Sequence, residues 1–134
     1  MFVACLSSCV MNKASDRPKF LLRATAGLLI GAGLAYLDGY AFGGETSPIV
    51  VIACLLAAIA CVAAAWGSDA WVTALLAWIM VPSVHVLKHA LGVPDTIHPN
   101  TYMSIGYLVA LTLAVAFVGG AVGLLVRKFG RGSS

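Results

Sequence analysis

Charge is scarce in this sequence: eight lysines and arginines and five aspartates and glutamates stand among 134 residues, 10% in all. A soluble globular domain carries roughly 25% charged residues. With 61% of the chain hydrophobic, that deficit excludes an ordinary soluble domain and points to a membrane protein. Catalytic signatures are missing as well. There is no H-E-x-x-H motif and no glycine-rich phosphate loop, no C-x-x-C pair for thiol–disulfide chemistry, and no nucleophile beside a base in a familiar frame. The chain is therefore not expected to be an enzyme. All three histidines, His85, His89 and His98, fall in one short segment, which excludes a haem held between histidines of two facing helices. No nucleic-acid partner is expected.

What is present is apolar length. Four runs, 20–42, 48–66, 70–91 and 102–126, each approach or exceed the ~20 residues that a helix needs to cross the hydrocarbon core of a bilayer. The expected fold is all-α, an integral membrane protein with four transmembrane helices in one domain over residues 20–126. A tail of residues 1–19, in which Met11 reads as the start, precedes it, and a basic tail of residues 127–134 follows. Lys13, Arg17, Lys19 and Arg23 lead into the first run, and Arg127, Lys128 and Arg131 leave the last. Basic residues favour the cytoplasmic side, so both termini are expected in the cytoplasm of a bacterial-type inner membrane. An even number of spans is what that placement requires. The loop from Asp38 to Ser47 and the loop from Gly92 to Thr101 then share the outer side.

Small residues mark the expected helix contacts. Gly27 and Gly31 form one G-x-x-x-G and Gly119 and Gly123 another, the spacing that lets helix backbones approach closely in lipid. These faces are expected to meet within the chain, or to serve a homo-oligomer or a membrane partner. Asp38 lies within about 20° of the Gly27 direction at ~100° per residue, so it should turn toward protein. Cys54 and Cys61 share a face seven residues apart and read as small buried hydrophobes, with no disulfide expected.

Polar chemistry gathers between Val81 and Asn100. His85 and His89 stand four apart on one helical face, with Lys88 beside them. Pro82 should free the Trp78 carbonyl, Gly92 should close the helix in a left-handed cap, and Asn100 or Thr101 should cap the next one. Lying roughly 22 and 28 Å above Ala70 at ~1.5 Å per residue, His85 and His89 are expected near the outer headgroups, where Lys88 would snorkel outward.

Two readings of this stretch follow. The one that asks least of the residues is a small non-catalytic accessory or assembly component with no cofactor, its histidines amphipathic at headgroup level. The alternative is binding and transport of a divalent metal or of protons or cations through an outer His/Asp cluster. His85, His89, His98 and Asp95 would be metal ligands, with the nitrogen and oxygen donors that suit zinc, and Asp38, Glu45 and Lys88 would be the surrounding polar groups. Neighbouring carboxylates would favour the charged histidine, whereas Lys88 would disfavour it.

Overall fold

The computed structural model describes residues 2–40, 47–95 and 101–132, with side chains from residue 17 onward. The chain is all-α, about 93% helical, with no strand among the described residues. Among the described residues four helices follow in order: α1 (Phe2–Gly39), α2 (Pro48–Trp66), α3 (Trp71–Leu91) and α4 (Tyr102–Gly132), with a 3-10 turn at Gly67–Ala70 joining α2 to α3. Three stretches are long and apolar enough to cross a membrane, residues 17–39, Pro48–Leu91 and Tyr102–Gly132. The middle one reverses at the 3-10 turn, because Ala58, Ile59 and Val62 of α2 line one small gap with Thr73, Ala74 and Ala77 of α3.

Local chemistry explains most helix ends. Pro48 opens α2 behind Ser47, where its missing N–H costs nothing. Thr101 caps α4, its hydroxyl accepting from the Ser104 N–H at 3.2 Å. Two helices run longer than the apolar runs alone suggest. α1 continues back to Phe2 with Pro18 inside it, and α4 continues to Gly132. Past Val126 the apolar pattern ends, but Arg127, Lys128 and Arg131 are good helix formers, and cations suit a helix C-terminus. Glu45 and the rest of the 41–46 loop lie outside the described residues.

The helices pack as two tight parallel pairs. Along α1 and α3 the partners advance together: Arg23 with Asp69, Gly27 with Thr73, Gly31 with Ala77, Asp38 with His85. A methyl group on Gly27 would stand 2.7 Å from the Thr73 carbonyl oxygen, and one on Gly31 would stand 2.8 Å from Met80 Cβ. The Thr73 hydroxyl donates to the Arg23 carbonyl at 2.9 Å across the same contact. Along α2 and α4, Gly119 sits on the Leu56 carbonyl and Gly123 on the Ala60 carbonyl, while Arg127 donates to the Ala65 carbonyl at 3.0 Å. The two glycine faces therefore do not meet each other. Each is occupied by a different helix of the same chain.

The spacing is mirrored. Arg23-x3-Gly27-x3-Gly31 runs up α1, Gly119-x3-Gly123-x3-Arg127 runs down α4, and both arginines close on the 65–69 corner from either side. Leu34, Leu55, Ile59 and Val81 form the core between the pairs. Trp78 of α3 donates from Nε1 to the Thr112 hydroxyl of α4 at 3.0 Å, and Thr112 donates onward to the Leu108 carbonyl at 2.7 Å. At Pro82 the Ser83 hydroxyl donates to the Ile79 carbonyl at 2.7 Å. That is one carbonyl further along than the one expected to be freed, and it compensates the same weakened turn. Cys54 is half-buried and Cys61 exposed, both as free thiols, so the expectation of a buried pair fails at Cys61, whose side of α2 faces outward.

Gly120, next to the packed face, has nothing within 4 Å of where a Cβ would stand. Gly123→Leu should thus destabilise by about 1–3 kcal/mol or more through overpacking, while Gly120→Leu should not. Denaturant midpoints of the two purified variants in the same detergent check this; equal shifts would contradict the α2–α4 register.

Candidate functional site

At the end of α3 the chain turns back on itself. Gly92 takes a left-handed conformation, φ 65° and ψ 23°, which costs glycine little for want of a Cβ. Its N–H donates to the His89 carbonyl at 3.2 Å, and the Val93 N–H donates to the Lys88 carbonyl at 3.0 Å. This pairing is the Schellman motif. It sends Val93, Pro94 and Asp95 back along the helix and lowers the Asp95 carboxylate onto a ring ten residues earlier.

That ring is His85. Its Nδ1 lies 2.9 and 2.8 Å from the two carboxylate oxygens of Asp95, and its Nε2 lies 2.5 Å from Asp38 Oδ2. The parallel register of α1 on α3 brings Asp38 to this position. His85 is 1% exposed, the Asp95 side chain 0% and the Asp38 side chain 14%. Asp38 is thus the least covered member of the three. Lys88 Nζ stands 3.7 Å from Asp95 Oδ1 and 4.9 Å from the centroid of the Tyr40 ring, a cation–π distance. It lies over Gly39, where any Cβ would come within 2.9 Å of the ammonium.

Hydrogen-bond inventory decides what this arrangement holds. An ionised carboxylate only accepts, and a neutral imidazole has one N–H and one lone pair. With both aspartates ionised, a neutral ring would set its lone pair against carboxylate oxygen on one side. The contacts are satisfied when the ring carries two protons, Nδ1–H donating to Asp95 and Nε2–H to Asp38, or when one aspartate carries a proton. In either form the three groups share one proton more than two carboxylates and a neutral ring possess. With Lys88 charged and the ring doubly protonated, two positive groups balance two negative ones, as burial of charge demands.

No family model, curated protein or solved structure matches this chain. The cluster is therefore read from its own geometry.

The proposed metal ligands fare unequally. His85 and Asp95 come together, joined by Asp38 and Lys88 from the surrounding polar set. His89 instead packs edge-on against Tyr102, ring centroids 4.2 Å apart, and fastens α3 to the first turn of α4. His98 and Glu45 lie outside the described residues. Among the described residues no three histidine, cysteine, aspartate or glutamate side chains are arranged to hold a metal ion. The reason is visible in the ring: its nitrogens face opposite ways, so the two carboxylates stand on opposite sides of it and do not converge.

Two expectations are corrected here. His85 is not an amphipathic side chain at headgroup level but a buried one, because helix α1 and the 93–95 segment cover it. Lys88 does not snorkel outward; it is 7% exposed, held inward by the Tyr40 face and the Asp95 carboxylate. Tyr40, stacked at 6.0 Å on Tyr36 one turn below, was not singled out from the sequence. The i, i+4 pair of tyrosines flanking Asp38 was its one signal.

A double-mutant cycle measures the central contact. Asp38→Asn and His85→Gln should each lower stability, and together they should lower it by less than the two single losses combined, leaving a coupling energy of about 1–3 kcal/mol. Additive losses in detergent unfolding would show that the two side chains do not interact.

Proposed function

We propose that this chain is a small four-span membrane protein built around a proton-binding site, Asp38–His85–Asp95, and that it works by proton- or cation-linked binding or transport without covalent catalysis. A single observation carries this reading: a buried imidazole with a carboxylate on each of its nitrogens. Such a site gains or loses a proton only by changing the charge of a low-dielectric interior, so its occupancy couples strongly to packing and to nearby charge. Asp38, the partly exposed member, serves as the entrance, His85 as the carrier and Asp95 as the inner acceptor. Lys88 holds the second positive charge that neutralises the set.

The orientation follows from where the charges gather. Arg23, Asp69 and Arg127 converge at the 65–69 corner, and Lys128 and Arg131 lie just beyond on α4. The cluster lies at the opposite end of the α1–α3 pair, roughly 22 Å from Arg23 along α1 at ~1.5 Å per residue. By the preference of basic residues for the cytoplasm, the 67–70 turn and both tails face inward, and the proton site faces the outer side. An accessory role resting on exposed glycine faces has less support, because those faces are spent inside the chain. The metal reading has less support because both ring nitrogens of His85 are already engaged.

Infrared difference spectra of the reconstituted protein across a pH titration test the site. The expected result is a carboxyl or imidazolium band that titrates in the native chain and disappears in His85→Gln; the same titration in both would end the proposal. Orientation has its own test on a cysteine-free background. With a membrane-impermeant thiol reagent, Val93→Cys should be labelled in intact cells and Ser68→Cys and Ser134→Cys only after permeabilisation, and the reverse pattern would invert the topology.

A further inference from the structure

Beyond the cluster, the described residues enclose an apolar groove at the other end of the helices. It runs between α2, α3 and α4 with a volume of about 470 Å³, inside the roughly 300–1,000 Å³ typical of small-molecule sites. Trp71, Trp78, Phe117, Gly120 and Leu124 line it, and Ser68 of the 3-10 turn stands at its rim. Trp71 and Phe117 are exposed, so the groove opens sideways, away from the other helices.

An apolar surface alone selects nothing in a bilayer, because lipid tails are as apolar as the side chains they meet. Charge supplies the selection here. On α4 the lining stripe Phe117, Gly120, Leu124 continues at helical spacing into Lys128 and Arg131, both exposed. Lys128 lies about 6 Å beyond Leu124 along the axis at ~1.5 Å per residue, a step comparable with the ~5–8 Å interfacial layer that flanks the hydrocarbon. Among the described residues, the acidic side chain at this corner, Asp69, is engaged by Arg23 at 2.9 Å. Among the described residues the rim is therefore net positive, and its cations continue the α4 face that lines the groove.

The geometry points to a bound anionic phospholipid, one acyl chain lying in the groove against Trp71, Trp78 and Phe117 and its phosphate meeting Lys128 and Arg131. The site is separate from the Asp38–His85–Asp95 cluster, and shares with the function proposed above only the membrane placement of the helices, with the 67–70 turn at a bilayer surface. Its occupant comes from the leaflet on that side.

Native mass spectrometry of the protein released from bilayers of equal phosphatidylglycerol and phosphatidylcholine reads the occupancy directly. The native chain should retain phosphatidylglycerol in preference. Lys128→Gln/Arg131→Gln should lose at least about tenfold of that preference, taking roughly fivefold per basic residue near the surface. Arg127 is left in place because it braces the 65–69 corner. Gly120→Leu, which has open space for its side chain, should fill the groove and abolish retention while all three basic residues remain. Retention in bulk proportion by the native chain, or anionic preference undiminished in a folded Gly120→Leu, would overturn the site, the latter by showing surface attraction without a groove. Neither result would touch the infrared titration of His85, so the two proposals fail independently.

Discussion

Close approach of α1 to α3 is the constraint on which the candidate site depends. Gly27 and Gly31 leave no side chain between the helices, so the Thr73 and Ala77 backbone settles against α1. Two helices in such contact cannot slide by a residue without driving a side chain into a carbonyl. The register so set carries forward two to three turns and delivers Asp38 to His85. Were α1 packed through large side chains, the pair would stand further apart and the carboxylate would miss the ring.

The same register brackets the pair with polar contacts at both ends, Arg23 with Asp69 and Asp38 with His85. Between them the contact is almost wholly apolar, apart from the Thr73 hydroxyl on a backbone carbonyl. This is what lipid demands, since a polar group at depth needs an internal partner. The ends differ in character. One presents cations around a tight turn and the other encloses carboxylates, a histidine and a lysine in mutual contact, so the two ends differ in electrical character. The apolar groove belongs to the first end and the Asp38–His85–Asp95 cluster to the second.

Burial at the cluster comes from three separate local devices acting together. The Gly92 motif turns the chain, the parallel register aligns Asp38, and the absence of a side chain at Gly39 leaves room for Lys88. Each is modest alone. Jointly they leave no buried side-chain nitrogen or oxygen without a hydrogen-bond partner among the described residues, which a half-satisfied network would fail to do at considerable cost.

Features governed by neighbouring residues were legible from the sequence: the apolar runs, the left-handed cap at Gly92, Pro48 at a helix start, Thr101 among the caps of α4, and the inward turn of Asp38 from its angle to Gly27. These depend on backbone conformation and helical periodicity, which act over a few residues. Height above the turn was legible for His85 as well, but height does not report cover. Whether His85 stood among headgroups or between two carboxylates, whether Lys88 reached outward or lay on Tyr40, and which helix each glycine face met depended on contacts between residues as much as 63 positions apart. Spacing within one helix is dictated by its own geometry; which side chain lies opposite another is decided only when the helices pack.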